Sequence, residues 1–363
     1  MTQLIKRSPV NLRPLLGIKK ALNAKGVALA ARAIILLANR HEVSLPLERP
    51  MPEEYEQLSD DETGKGLQAD FDYLAASLLS FRSQGFEEAC WGYNFDWQSR
   101  AFFAPRGTPN AVCTVFAAHA FLDWFEKTGS DHAFDMAESS CRFILDRLNR
   151  TGGEDEFCFS YTPLDNSRVH NVNMLAAELL ARVFGINQKE EYRETAARAV
   201  RFTMARQLDD GAWPYGEAEN QRWIDGFHTG FVLVSLKNII GHLGETGWRS
   251  GLRRGCEYYR ERFFLADSAP KYYHDRLYPV DVHSAAQAII TFAEMKDIMP
   301  GAGKMANQAV KWAIDNMQDE AGYFYFQRHR FYTIKIPYMR WAQTWMLYAL
   351  SLYLSRGMVS EDV

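Results

Sequence analysis

No cysteine pair of the CxxC kind occurs in this sequence. Its five cysteines, Cys90, Cys113, Cys141, Cys158 and Cys256, are odd in number and scattered. That argues against a disulfide framework or a zinc ribbon and makes a reducing, cytoplasmic compartment the expected location. Positive charge is not in excess either. There are 41 Lys and Arg against 45 Asp and Glu, a net charge of −4, so the electrostatic footprint of a nucleic-acid binder is missing. The longest apolar run, 26–38, is about two-thirds of a membrane span and contains Arg32. A buried helix is expected there, and membrane contact is not. Lys6, Arg7 and Arg13 are followed by no compact apolar run with a cleavage site, so no signal peptide is expected. With 47% hydrophobic and 24% charged residues, the chain is neither disordered nor collagen-like.

Aromatic residues are plentiful: 9 Trp, 17 Tyr and 23 Phe, or 13% of the chain. A large core uses some of them. Trp and Tyr in excess also suit a wet cleft with flat walls, because each has an apolar body and a polar handle.

One repeat runs through most of the sequence. Five times an aromatic, polar stretch precedes an apolar helical pattern: WGYNFDWQSR (91–100), FCFSYTPLDNSR (157–168), GAWPYGEAENQR (211–222), KYYHDRLY (271–278) and GYFYFQRHRFYTIKIP (322–337). Aligned on the helix starts, one column reads Cys113, Asn173, His228, His283 and Gln343, at spacings of 60, 55, 55 and 60 residues. A second register agrees: Gln207 precedes Gly211 and Trp213 as Gln318 precedes Gly322 and Phe324. The helices after the polar loops are apolar nearly all round, whereas those between, such as YRETAARAVRFTMARQL (192–208), have one charged face. The first kind is buried on both sides and the second lies outside. An inner helix over 21–39 and an outer one over 67–82 complete about six helical hairpins. The expected fold is all-α, an (α/α)6 toroid occupying 1–363 as one domain, with an open solenoid as the alternative. No terminal repeat has the strongly polar capping face that an open solenoid needs. The acidic stretch 48–62 is expected to be a solvated connection or a lid over the mouth of the ring.

The pattern over about 21–356 resembles the six-hairpin glycosidase-like α/α toroids. These include glycoside hydrolases, polysaccharide lyases, sugar 2-epimerases, glucuronyl C5-epimerases and the terpene cyclases. The Gln207-x3-Gly211-x-Trp213 and Gln318-x3-Gly322-x-Phe324 strings are similar to the structural QW motif of terpene cyclases. WGYNFDWQSR, WIDGFHTG and IPYMRWAQTW resemble an uncharacterised bacterial family found among polysaccharide-assembly proteins, which implies a role in polysaccharide biosynthesis.

In a toroid the inner helices start at one end, so the polar column is expected around a single cavity there. Asn110, Asp225 and Asp281 sit where an N-cap belongs, and capping alone explains them. It does not explain His228 and His283 inside the first turn of apolar helices. Trp91, Tyr93, Trp97, Trp213, Tyr215 and Tyr273 are the expected sugar platforms, with Asn173 and Gln343 as polar contacts. A glycoside hydrolase needs two carboxyl groups about 5–10 Å apart. The candidates are Asp96, desolvated between Phe95 and Trp97, Asp225, favoured as an anion by its helix terminus, Asp275 and Asp281. A uronate lyase or epimerase needs cations and amides for the carboxylate, for which Arg100, Arg340, Asn110 and Asn173 are candidates. It also needs proton carriers, for which His228, His283, Tyr215 and Tyr338 are candidates. The sugar 2-epimerases of this fold use paired histidines, and the resemblance implies that role for His228 and His283. The expected partner is an oligo- or polysaccharide, with no cofactor or metal. A noncatalytic glycan-binding toroid remains an alternative, as does a terpenoid enzyme, although no DxDD or aspartate-rich motif is present. A zinc site from His228, His283, Cys113 and Asp281 has suitable ligand types but no spacing that demands it.

Overall fold

The computed structural model describes residues 8–41, 63–99 and 102–358. The acidic stretch 48–62 lies outside them. Among the described residues eleven α-helices fall into two sets. The inner set is α1 (Ala24–Arg40), α3 (Ala111–Thr128), α5 (His170–Asn187), α7 (Gly226–Leu243), α9 (Val282–Glu294) and α11 (Thr344–Ser355). The outer set is α2 (Thr63–Ser80), α4 (Asp131–Arg147), α6 (Glu190–Met204), α8 (Arg249–Arg262) and α10 (Ala302–Met317). The burial pattern assigns each helix to its layer. In α6 the buried residues Tyr192, Thr195, Ala196, Ala199, Val200 and Thr203 follow the three-and-four spacing of a single stripe. In α3 every residue from Ala111 to Leu122 is buried.

Each inner helix packs on the next, α1 on α3, α3 on α5, α5 on α7, α7 on α9 and α9 on α11, and α11 returns to pack on α1. The ring is therefore closed, an (α/α)6 toroid, with each outer helix against the inner helix that precedes it. Among the described residues α11 has no outer partner. The buried apolar side chains form one cluster reaching from Ala24 to Met358.

Short antiparallel hairpins dress the end where the inner helices begin. β1 (Trp97–Gln98) pairs with β2 (Phe103–Ala104), and β3 (Arg150–Gly152) with β4 (Phe157–Phe159). β6 (Gln327–Arg328) lies between β5 (Val280–Asp281) and β7 (Thr333–Ile334), with Asp281 opposite Gln327. The two glutamine–glycine registers share one turn. Gln207 and Gln318 each donate through Nε2 to the carbonyl of the glycine four residues on, at 3.0 and 3.1 Å. Gly211 and Gly322 are both left-handed, with φ of 93° and 87°, which glycine adopts without steric cost.

At the other end of the ring, ion pairs and hydrogen bonds link the inner helices. Arg32 of α1 meets Asp123 of α3 at 2.6 Å, and Asp123 also takes Arg182 of α5 at 2.6 Å. Glu178 of α5 accepts from Ser235 and Asn238 of α7. Glu294 of α9 accepts from Lys237 of α7 at 2.6 Å and from Arg356, just beyond α11, at 2.7 Å. Arg40 closes the circuit by donating to the Leu354 carbonyl. Burial alone would raise the Asp123 and Glu294 carboxyls. The cations beside them outweigh burial and hold both below the ordinary carboxylate range.

This girdle yields a stability prediction. Glu294 is 10% exposed and serves two cations, so Glu294→Gln is expected to cost about 2–4 kcal/mol. Glu126, 54% exposed on Arg182, is expected to cost under about 1 kcal/mol as Glu126→Gln. Urea unfolding of the two variants measures the difference.

Candidate active site

The inner helices begin around a cavity of about 250 Å³. Its inner wall follows a rule. The helix N-caps are Asn23, Asn110, Val169, Asp225 and Asp281. A π-helical turn, Met339–Gln343, leads into α11 and has Tyr338 as its cap. Two residues beyond these six caps stand Lys25, Val112, Asn171, Phe227, His283 and Arg340, and all six line the cavity. First-turn side chains tilt toward the helix N-terminus, so five inner helices contribute their second residue to the common chamber and the π turn before α11 contributes its own. A π turn widens the backbone locally and is frequent at functional sites. Here it brings Arg340 and Trp341 to the cavity.

Asp225 and His228 form the best-defined polar pair in the chamber. One carboxylate oxygen of Asp225 accepts from the His228 backbone N–H at 2.9 Å, capping α7. The other accepts from Trp223 Nε1 at 2.8 Å and lies 2.7 Å from His228 Nδ1. A carboxylate only accepts, so Nδ1 carries the hydrogen and Nε2 presents a lone pair. The Asp225 side chain is fully buried and that of His228 is 22% exposed. Asp225 therefore orients, and His228 is the member that faces the chamber. His283 is held between Phe227 and Trp345, with ring centroids 4.5 and 4.3 Å away. Its backbone N–H is capped by Asp281, whose second oxygen accepts from Gln327 at 2.6 Å.

The walls are aromatic. Trp97 packs against Tyr93 at 5.1 Å and Tyr161 at 4.8 Å, and Tyr215 stacks on Trp223 at 4.4 Å. The Tyr93 and Tyr161 hydroxyls are 3.3 Å apart. Burial pushes both phenols up, as it does the Cys113 thiol, so all three are neutral near pH 7.

Two cations share this chamber. Lys25 is 9% exposed, with Nζ 5.3 Å from the Trp345 ring and 5.7 Å from that of Phe116. Burial first, and Arg340 second, push its ammonium down to about 8. Burial likewise holds Arg340 below its ordinary value. Its guanidinium stacks near Trp341, Phe95 and Tyr93 at 4.4, 4.8 and 5.2 Å. Among the described residues neither cation is paired with a carboxylate.

The expected polar column separates into three groups. His228 and His283 reach the cavity, as do Arg340, Tyr93, Trp97 and Tyr215. Asn173 and Gln343 tie down the preceding loops instead: Asn173 accepts from Phe159 N–H, and Gln343 accepts from and donates to the Phe324 backbone. Cys113 is buried beneath Asn110, which caps α3 through the Cys113 N–H. His283 is the second residue of its helix and His228 the third, so the two are not equivalent positions. Trp91 and Trp213, expected as platforms, are core residues whose indole N–H groups donate to Leu78 and Thr203 carbonyls. Tyr273 lies under the Arg276 guanidinium, and its neighbour Tyr272 lines the cavity instead. Tyr338 accepts from Arg13 at 2.6 Å and packs on Phe326. Asp96, expected to be desolvated, is exposed and accepts from the Arg106 N–H. Arg100 lies outside the described residues. Lys25, Asn171, Phe227 and Trp341 escaped the sequence reading, whereas Tyr161, one of the aromatic residues recurring before the inner helices, lines the cavity. Counting from caps rather than from the apolar runs would have found the first three.

A larger cavity, about 420 Å³, opens at the opposite mouth among Arg32, Asp123, Arg182, Glu178 and Glu294. Its charges are those of the girdle and neutralise one another, so the smaller chamber is the better candidate for chemistry. Among the described residues no three His, Cys, Asp or Glu side chains gather as a metal site, and no helix is long and apolar enough to cross a membrane.

No protein-family model matches the sequence, and no curated protein sequence matches it. Solved structures do match. Cellobiose 2-epimerase from Bacillus thermoamylovorans superposes with a TM-score of 0.66 at 10% identity, covering 92% of this chain and 87% of that one. A D-mannose isomerase gives 0.63 at 12%, covering 92% and 87%. A family 76 glycoside hydrolase (mannosidase) from Bacteroides thetaiotaomicron gives 0.63 at 11%, covering 92% and 88%. At these identities the likeness is one of fold, that of the six-hairpin glycosidase-like toroids.

The buried ammonium of Lys25 yields the second prediction. Its pKa is about 8 in the fold against 10.5 in the ordinary state. The folding penalty is full below pH 8 and fades as pH rises toward 10.5, because the unfolded chain binds the extra proton in that window. Lys25→Met is expected to stabilise the ligand-free protein by about 1–3 kcal/mol at pH 7. That gain should shrink above pH 8 in urea titrations.

Proposed function

We propose that this chain is a carbohydrate-active enzyme that moves a proton on and off a sugar carbon, an epimerase working in the chamber at the inner-helix N-termini. The observation that carries this reading is the pair of imidazoles, His228 and His283, on one cavity in which, among the described residues, no two carboxylates face each other. Asp225 is sealed behind His228, Asp281 is occupied by a cap and by Gln327, and Asp96 is exposed. Among the described residues the two accessible carboxyl groups that glycoside hydrolysis uses are not assembled, whereas two imidazoles, a side chain suited to moving protons, are. The cellobiose 2-epimerase and mannose isomerase among the structural neighbours support sugar chemistry of this class. Tyr93, Trp97, Tyr161 and Tyr215 provide flat walls for the C–H faces of a pyranose. A chamber of about 250 Å³ suits one sugar unit or a chain end rather than the middle of a polymer. It lies just below the ~300–1,000 Å³ range of small-molecule pockets.

The chemistry is proton transfer at a carbon next to a carbonyl or carboxyl group. His228 Nε2, with Nδ1–H fixed by Asp225, takes the proton. The C–H electron pair moves into the adjacent C–C bond and the carbonyl pair onto oxygen. The enediolate that forms faces the positive ends of six inner helices. His283, protonated at the start, returns a proton to the same carbon from the other face and becomes neutral. Exchange with solvent resets both imidazoles.

The test is incubation with neutral and uronate-containing sugars in heavy water, read by mass spectrometry and NMR. The expected result is deuterium at one carbon without cleavage. His228→Ala and Asp225→Asn should each lower kcat by about 10²–10⁴. Glycoside cleavage with uptake of water would make the protein a hydrolase. Wild-type turnover in a folded Asp225→Asn, His228→Ala double variant would remove the assignment.

A further inference from the structure

The first and last staves of the ring bring Lys25 and Arg340 together. A Cβ built on Gly26, the residue after Lys25, would lie 3.9 Å from the Arg340 Cα. Each is the second residue beyond its cap, so both side chains enter the same sector of the chamber. Burying a charge without a counter-ion is costly, and it persists only when something else requires it. Among the described residues the candidates for an internal counter-ion are accounted for. The Cys113 thiol and the Tyr93 hydroxyl beside the pair are neutral through burial. Asp281, the acidic group that lines the chamber, already serves the His283 N–H and Gln327. The two imidazoles on the chamber, His228 and His283, add no negative charge, burial keeps the Tyr161 phenol neutral, and the helix N-termini add positive potential.

We infer that the sugar bound here carries an oxyanion, a carboxylate or a phosphate ester, held between Lys25 and Arg340. The inference rests on the carbohydrate reading of the chamber and specifies its substrate class. Arg340 supplies a planar fork, fixed by its aromatic neighbours, for two oxygens. Lys25 supplies a point charge from the neighbouring stave. The sugar face lies on the Trp97 and Tyr215 walls, and the anion marks which end of the substrate enters.

Isothermal titration with glucose, glucuronate and glucose 6-phosphate tests this without turnover. Either anion should bind at least tenfold tighter than glucose, and the arm that wins identifies the oxyanion. Lys25→Met and Arg340→Gln should each weaken the anion at least tenfold and weaken glucose by far less. Lys25→Arg should retain anion affinity within a few-fold. Because Lys25 is about half neutral near pH 8, binding there should take up protons, seen as a buffer-dependent heat. That uptake should vanish in Lys25→Arg and at pH 6, which a merely structural lysine would not produce. Glucose binding as tightly as both anions, or anion affinity unchanged in the two charge-removing variants, overturns the inference. If anions bind as expected and no sugar exchanges deuterium, the epimerase reading fails and the oxyanion site stands. If a neutral sugar is epimerised and glucuronate and glucose 6-phosphate bind no tighter than glucose, the oxyanion site fails and the epimerase reading stands.

Discussion

An α-helix that is apolar around its whole girth must be surrounded. α3 and α7 offer no polar face on which to lie against water, so each needs a neighbour on both sides and a cover behind. Six such helices satisfy one another only when the last meets the first. Closure of α11 on α1 is therefore the condition on which the rest depends. It leaves two mouths and assigns them different work. At the C-terminal mouth, shared carboxylates pin stave to stave. At the N-terminal mouth the first turns are left to face a common space.

That space inherits its chemistry from a local rule of helix starts. Each cap fixes where its helix begins, and the second residue then looks into the chamber. Asp225 does more than cap. The oxygen left over after binding the His228 N–H also holds the imidazole, so one carboxylate sets both a helix end and a tautomer. Asp281 uses its spare oxygen differently, tying β5 to β6 through Gln327.

The repeat, the two classes of helix and the closed ring were legible in the sequence because they rest on periodicity and hydrophobic girth. The site was legible in part. His228 and His283 stood out as polar residues in apolar first turns, and Arg340 lay in the right register. Lys25 was hidden, because a single lysine at the start of an apolar run looks like an end effect. Its partner lies in the last unit, where no local pattern links them. The tryptophans were misassigned for a different reason. Residue type cannot tell whether an indole N–H will find a sugar hydroxyl or, like Trp91 and Trp213, the carbonyl of a nearby helix. Asn173 and Gln343 fell in the column because they latch loops at the same repeat position.

The seam between α1 and α11 has a consequence for biosynthesis. A chain leaving the ribosome completes the Asp225–His228 pair well before Arg340 emerges. Lys25 is made among the first residues and waits with its wall unfinished until the final stave docks. Contacts so far apart in sequence are slow to form, and exposed apolar helices are prone to aggregate meanwhile. A truncated product lacking only the last unit would thus keep the histidines yet have no chamber. The two ends of the chain must both be present before Lys25 and Arg340 can face one chamber.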